Sequence, residues 1–169
     1  MKSPMMLHFL CGSTGAGKTT YGRRLAEEIG GVFLSVDSWM SSLFWMDAPD
    51  PVDPAWAIER IERCRATIWQ TAVDIARQGL PCLLEIGFTT QKVRAKYAAL
   101  AAEAELPVRL HFLDIPAEER WRRVEARNRE ETDQLGFAVT RAMFDYVEAI
   151  WEPPSTAEMA ACDGTRLSC

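Results

Sequence analysis

The chain lacks any apolar run that approaches the roughly 18 residues needed to cross a bilayer. Its early apolar stretch, residues 7–11, runs directly into a glycine-rich loop. Cleavage of a signal peptide there would remove the clearest motif in the chain, which argues against secretion. We therefore expect a cytoplasmic protein with no membrane partner.

The number and spacing of the cysteines argue against a disulfide framework or a zinc knuckle. The chain has five cysteines, an odd number, and no CxxC pair. Cys11 and Cys82 fall inside apolar strand-like runs, where cysteine behaves as a small core residue. His8 and His111 also fall in predicted strands, and no cluster has the spacing of metal ligands. We therefore expect buried, hydrogen-bonded imidazoles and structural cysteines.

Positive charge is in deficit, with 19 Lys and Arg against 24 Asp and Glu and a net charge of −5. Broad binding to nucleic acid depends on neutralising phosphates with basic side chains. We therefore do not expect a nucleic-acid partner. The length of 169 residues corresponds to a single domain, residues 1–169.

Short apolar runs alternate with longer helical stretches along the whole chain, which predicts βα units around a parallel sheet. Strands are predicted at 7–11, 32–36, 81–86 and 108–113, with a short edge strand near 165–168. Helices are predicted at 17–29, 54–78, 116–127 and 140–151, with one more beginning after Thr89 or Thr90. The segment 38–52 gives no clear pattern. This alternation indicates an α/β fold with a central, mostly parallel sheet of four to five strands and helices on both faces.

Residues 12–19 match the phosphate-loop pattern GxxxxGK[ST] completely and follow an apolar strand. Glycines let the backbone approach phosphates closely, and the N-terminus of the following helix favours an anion. Lys18 is expected to reach the β- and γ-phosphates, and the Thr19 hydroxyl to coordinate Mg²⁺. The predicted nucleotide-binding residues are Gly12, Ser13, Thr14, Gly15, Ala16, Gly17, Lys18, Thr19 and Thr20.

Other motifs narrow the class of nucleotide-binding protein. The NKxD or TKxD motif that reads guanine is missing, which favours adenine and therefore ATP. No aliphatic run ends in the Asp-Glu pair of a helicase or transporter motor, and the chain is too short for the helical lid domain of large ATPases. Of the classes of phosphate-loop protein considered, the small kinases are the one that remains.

Four further features occur in a fixed order after the phosphate loop. They are Val36 with Asp37, the strand end at 85–88, Arg123 with Arg127, and Pro153 with Pro154. Over residues 7–158 the chain thus resembles the P-loop kinases related to zeta toxin, chloramphenicol phosphotransferase and the polynucleotide 5′-kinase domain. The resemblance implies a three-layer P-loop NTPase fold and ATP-dependent transfer of a phosphoryl group to an alcohol.

Asp37 is the most informative residue outside the loop. It follows the second strand, which we expect to lie beside the first, and so should face the phosphates. The resemblance implies that Asp37 deprotonates the acceptor hydroxyl or contacts Mg²⁺. The alternative is that its side chain caps the following helix. Met40 stands where the polynucleotide kinases have an arginine, which argues against a nucleic-acid acceptor.

Glu85 lies at the end of the third strand, where relatives usually have an aspartate. It is a candidate Mg²⁺ ligand through water. A structural, hydrogen-bonded carboxylate is an equal alternative. The predicted metal-binding residues are therefore Thr19, Asp37 and Glu85.

Arg120, Arg123 and Arg127 share one face of a predicted helix. The resemblance implies a lid around residues 120–137 in which Arg123 and Arg127 close over the nucleotide. Their planar guanidinium groups suit the spread charge of a transferring phosphoryl group. The alternative is a solvated face whose arginines pair with neighbouring glutamates.

Two further groups are weaker candidates. Trp39, Phe44 and Trp45 either line an apolar acceptor pocket or pack into the core. Thr89 and Arg94 match positions where relatives contact the acceptor or the scaffold.

The function expected from the sequence is transfer of the γ-phosphate of ATP to a hydroxyl of a small-molecule acceptor, with Lys18, Asp37, Arg123 and Arg127 as catalytic residues. A polynucleotide 5′-hydroxyl kinase and an ATP-binding switch or slow ATPase are the alternatives. The identity of the acceptor and the oligomeric state stay open.

Overall fold

A computed structural model describes residues 6–130 and 138–168. Five parallel strands form one sheet in the order β2-β3-β1-β4-β5. The strands are β1 (Leu7–Cys11), β2 (Val32–Ser35), β3 (Cys82–Glu85), β4 (Val108–Asp114) and β5 (Thr165–Ser168). The helices are α1 (Lys18–Ile29), α2 (Val36–Leu43), α3 (Pro54–Arg77), α4 (Gln91–Glu103), α5 (Ala117–Arg129), α6 (Arg141–Ile150) and α7 (Thr156–Ala161), with a 3₁₀ turn at Trp45–Asp47. Among these helices, none combines the length and the apolar character that a bilayer span requires.

The two faces of β1 pack against different helices. Leu7, Phe9 and Cys11 join the main apolar cluster, to which α3 and α4 also contribute. Leu10 faces the opposite side, where a Cβ atom placed at Gly22 of α1 would lie 2.5 Å from Leu10 Cδ1. Helices therefore cover both faces of the sheet, and the predicted three-layer α/β P-loop NTPase fold is confirmed.

The predicted position of the second strand is wrong, because β2 pairs with β3 and not with β1. All four residues of β3 are buried, whereas Val32 and Phe33 of β2 are only half-buried. The fully apolar strand therefore takes the inner place, as expected for parallel strands covered on both faces.

The second strand also ends earlier than predicted. The Ser35 side chain accepts a hydrogen bond from the backbone N–H of Ser38 and begins α2, so Val36 is helical. Asp37 consequently lies in the first turn of a helix and not at a strand tip. Helix α7 was not predicted, although Ser155 and Glu158 form a complete capping box at its start. The lid predicted around 120–137 overlaps α5 from Arg120 onward, and its residues 131–137 lie outside the described part of the chain.

The two histidines form one buried pair between neighbouring strands. His8 Nδ1 lies 2.9 Å from His111 Nε2, and the Tyr21 hydroxyl of α1 lies 2.7 Å from His111 Nδ1. Burial is the main cause that lowers the pKa of each imidazole from 6.5 to about 4, and the charge of Arg109 acts in the same direction. The pair thus joins β1, β4 and α1 as a neutral structural contact, as the sequence predicted.

This pair should make stability depend on pH. Below about pH 6.5 the unfolded chain binds protons at both histidines, whereas the folded chain does so only near pH 4. The free energy of unfolding should therefore fall as the pH drops from 6.5 to 4, by about 2 to 3 kcal/mol for each histidine. Urea unfolding at several pH values measures this slope. The double variant H8Q/H111Q retains all carboxylates and should reduce the dependence of the unfolding free energy on pH. An unchanged slope would contradict the assignment of this dependence to the two histidines.

Candidate functional site

The loop at residues 12–17 joins the end of the central strand to the start of α1. Gly15 and Gly17 have φ values of 79° and 86°, in the left-handed region that L side chains rarely adopt. No side chain caps the N-terminus of α1 or of α5, whereas α2, α3, α4, α6 and α7 are capped by serine, threonine or aspartate. The first N–H groups of α1 are thus available to an anion, as a phosphate loop requires.

The loop packs tightly against the backbone of α5. A Cβ atom placed at Gly15 would lie 2.5 Å from the carbonyl oxygen of Arg120 and 3.0 Å from Val124 Cγ2. Gly12 is also enclosed, with a Cβ position 3.1 Å from the carbonyl oxygen of Leu113. These contacts set the path of the loop relative to the sheet and to α5.

Arg120 is buried and holds the loop from behind. Its guanidinium donates to the carbonyl oxygens of Ile115 and Thr14, at 2.8 and 3.2 Å, and to both carboxylate oxygens of Glu148 at 2.7 Å. Glu148, on α6, also accepts a hydrogen bond from the Ser13 hydroxyl. The hydrogen bonds from Arg120 are the main cause that holds the pKa of Glu148 below its usual range. Ser13 therefore ties the loop to α6, and its side chain turns away from the cleft described below.

A cleft of about 870 Å³ opens beside the loop and the C-terminal end of the sheet. It brings together five predicted site residues from four separate segments of the sequence, namely Lys18, Thr19, Asp37, Glu85 and Arg127. Thr14, Gly15, Gly17 and Thr20 also line it, together with Ser35 and Ser38. Its remaining wall is formed by Val139, Ala142, Met143, Tyr146 and Val147.

Glu85 is the buried carboxylate of this cleft. The Thr19 hydroxyl lies 3.0 and 3.2 Å from its two oxygens, and Ser35 also donates to it. Burial raises the pKa of Glu85, an effect opposed by the charge of Lys18 and reinforced by that of Asp37. Glu85 is therefore a hydrogen-bonded carboxylate, as the structural alternative predicted. Its contact with Thr19 joins two of the three predicted metal-binding side chains.

The donor set of Thr19, Glu85 and Asp37 fits Mg²⁺. All three offer oxygen atoms, the ligands that this ion prefers. Within residues 6–130 and 138–168, no group of three or more His, Cys, Asp or Glu side chains could hold a metal ion. A few protein oxygens completed by phosphate oxygens and water are the usual way in which proteins hold Mg²⁺.

Asp37 and Lys18 line the same cleft as Thr19 and Glu85. Ser35, not Asp37, caps α2, so the alternative role predicted for Asp37 as a helix cap is not what the structure contains. Asp37 is exposed in the cleft. The Lys18 ammonium donates to the carbonyl oxygen of Ser13 at 3.2 Å and thus lies over the loop.

A second cleft, of about 600 Å³, lies on the other side of the loop. Ala16, Arg123 and Arg127 line it, and Arg127 faces both clefts. Arg123 Nη1 lies 3.7 Å from a Cβ position at Gly17, while its Nε lies 3.1 Å from Glu119 Oε1. Arg123 therefore forms the pair with a glutamate that was predicted as the alternative. The same side chain also lies beside the loop.

The candidate aromatic pocket is not found in either cleft. Trp39, Phe44 and Trp45 are half-buried and pack against the main core. The apolar wall of the larger cleft comes instead from α6, which sequence reasoning missed. The signal was present as Met143, Tyr146 and Val147 at helical spacing.

Arg94 belongs to the scaffold. It is buried, donates to the carbonyl oxygens of Phe88 and Glu152 at 3.1 and 2.7 Å, and pairs with Glu158 at 2.7 Å. These bonds join α4 to the chain after β3 and to α7. Thr89 was the other weaker candidate. Its backbone carbonyl accepts a hydrogen bond from the backbone N–H of Glu152 at 3.0 Å.

The comparisons with known proteins agree with this fold. A family model described as an AAA domain matches residues 7–154. No match is found among curated proteins.

Solved structures share the fold at low identity. A candidate kinase from Chloroflexus aurantiacus is 18% identical, with a TM-score of 0.74 over 98% of this chain and 88% of that chain. The Mycobacterium tuberculosis APS kinase CysC, in complex with AMPPNP and APS, is 20% identical, with a TM-score of 0.60 over 96% and 87%. Chaetomium thermophilum Kti12, in complex with ADP-AlF3, is 16% identical, with a TM-score of 0.67 over 96% and 88%. The resemblance to P-loop kinases inferred from the sequence is confirmed at the level of the fold.

The close contact at Gly15 generates a test with a matched control. Gly15→Ala and Gly79→Ala both place a Cβ atom at a φ near 80°, but nothing lies within 4 Å of that atom at Gly79. Both variants should lose about 1 to 2 kcal/mol of stability from backbone strain. Only Gly15→Ala must also displace α5, so it should unfold at a lower temperature and bind ATP at least about tenfold more weakly, a loss of ~1.4 kcal/mol. Thermal unfolding and titration calorimetry measure both effects, and equal behaviour of the two variants would contradict the tight packing.

Proposed function

This chain belongs to the family of AAA domains, and from that premise we propose that it is an ATP-dependent kinase that transfers the γ-phosphate to a hydroxyl of a small-molecule acceptor. The observation that carries the proposal is the presence of Asp37 in the same cleft as Lys18 and Thr19. A phosphate loop alone suits any nucleotide-binding protein. A carboxylate beside it adds the group that phosphoryl transfer to an alcohol needs.

The basic residues would bind and stabilise the phosphates. The N–H groups of the loop and the ammonium of Lys18 hold the β- and γ-phosphates. Arg127, which lines both clefts, and Arg123, beside Gly17, balance the charge that spreads over the transferring group. In this proposal α5 is the described part of the lid.

Asp37 would act on the acceptor. Its carboxylate accepts the proton of the hydroxyl while the oxygen of that hydroxyl forms a bond to the γ-phosphorus. The bond between the γ-phosphorus and the β,γ-bridging oxygen breaks, and ADP leaves with that electron pair. The proton then passes from Asp37 to solvent, which an exposed position permits.

Thr19 and Glu85 would hold Mg²⁺, which leaves Asp37 as the base. When bound, the ion neutralises charge on the β- and γ-phosphates. Glu85 contributes a carboxylate whose orientation is set by Thr19 and Ser35. Two solved relatives support a nucleotide in this fold, since one holds AMPPNP and the other ADP-AlF3.

Transfer of labelled γ-phosphate from ATP into a pooled metabolite extract tests the proposal. A parallel reaction contains a 5′-hydroxyl oligonucleotide, and Lys18→Ala is the control because it removes the charge that contacts the phosphates. Label should enter a small molecule with the wild type and not with Lys18→Ala. Label only in the oligonucleotide would favour a polynucleotide kinase, and ATP binding with no labelled acceptor would favour a nucleotide-dependent switch.

The base role of Asp37 makes a separate prediction. Asp37→Asn should lower kcat by about 10²- to 10⁴-fold, because the amide cannot accept the hydroxyl proton. Asp47→Asn is the matched control, since Asp47 is also exposed but lies in the 3₁₀ turn outside the cleft. Steady-state kinetics with the acceptor found above measure both variants. Equal activity of Asp37→Asn and wild type would refute the role.

A further inference from the structure

The larger cleft, which contains Asp37, has an apolar wall on α6. Met143 and Tyr146 are 48% and 68% exposed, and Ala142 and Val147 lie beside them along the cleft. Burying large apolar side chains of this kind is favourable by about 1.5 to 3 kcal/mol each. An apolar surface next to a phosphate-binding loop is the kind of wall that small-molecule sites use to hold the body of a ligand.

The same helix is held in a fixed position relative to the loop. Phe144 is buried against Val124 of α5, and Glu148 accepts hydrogen bonds from Ser13 and Arg120. Met143 and Val147 alternate with these two anchors along α6 and turn toward the cleft. The apolar wall therefore stands at a set distance from the phosphates bound by the loop.

The charges of the cleft argue against an anionic acceptor. Its charged lining residues are two cations, Lys18 and Arg127, and two anions, Asp37 and Glu85. In the proposed function both cations bind the phosphates of ATP. No other Lys or Arg of the described residues lines the cleft, and the sequence 131–137 contains none. A carboxylate or phosphate on the acceptor would therefore be desolvated beside two carboxylates with no basic group to compensate it.

We propose that the acceptor is a neutral alcohol with an apolar body, which packs against Met143, Tyr146 and Val147 and presents its hydroxyl to Asp37. This rests on the proposed kinase function and names the class of its acceptor. The alcohol oxygen forms the new bond to the γ-phosphorus, ADP is the leaving group, and the proton goes to Asp37. The Ser38 side chain, also in the cleft, offers a polar contact to a second group of the acceptor.

A fractionated extract tests the class of the acceptor. Metabolites are separated by anion exchange and reversed-phase chromatography into anionic, cationic, neutral polar and neutral apolar fractions, and each receives labelled ATP and enzyme. Label should enter a compound of the neutral apolar fraction. Label in a compound of any other fraction would overturn this inference and leave the kinase proposal standing. Label in no fraction would overturn both.

Variants of the wall test its part in binding. Tyr146→Ser and Met143→Ser should each raise the KM for the labelled acceptor about tenfold, while the KM for ATP stays unchanged. Ile150→Ser is the matched control, because Ile150 lies on the same helix, is 42% exposed and does not line the cleft. An unchanged acceptor KM in both wall variants, or an equal rise in Ile150→Ser, would overturn the inference. The unchanged KM for ATP also shows that the variants fold.

Discussion

The packing of the phosphate loop against α5 is the contact on which the rest of the site depends. Gly15 leaves no room for a side chain against the Arg120 carbonyl, and the Arg120 guanidinium binds the carbonyl of Thr14. The same guanidinium holds Glu148, which accepts from Ser13. One buried arginine thus joins the loop, the helix of the proposed lid and the helix that forms the apolar wall. Such a hydrogen-bonded charge pair is expensive to break, which keeps these three parts in register.

The charges of the cleft form two groups with different tasks. Lys18 lies over the loop where phosphates are expected, and Arg127 faces both clefts. Glu85 is buried under Thr19 and Ser35, while Asp37 is exposed at the first turn of α2. The two carboxylates thus differ in burial, which suits them to different roles. Buried Glu85 is suited to holding a cation, and exposed Asp37 is suited to exchanging a proton. The apolar surface of α6 forms the remaining wall of the cleft.

Local patterns in the sequence were enough to predict most of the strands and helices and the phosphate loop. The strands β1, β3 and β4 are short, mostly apolar runs, α3 begins with a proline directly after an aspartate, and the phosphate loop is a complete motif. Two further local signals mark the starts of helices that the apolar pattern does not predict. Ser35 with Ser38 begins α2, and the capping box of Ser155 and Glu158 begins α7. Helices this short carry too little apolar periodicity to stand out from loops.

The fold class and the phosphate loop follow from the amino-acid sequence alone, because both are encoded in local patterns of apolar runs, helical stretches and glycines. The position of β3 between β1 and β2 depends on tertiary packing, since strand order is set by which strand can be buried on both faces. Tertiary packing also decided that Arg120 holds Glu148, 28 residues away, and that α6 and not the tryptophans near Asp37 forms the apolar wall. Those contacts join segments far apart in the chain, and no spacing between residues encodes them.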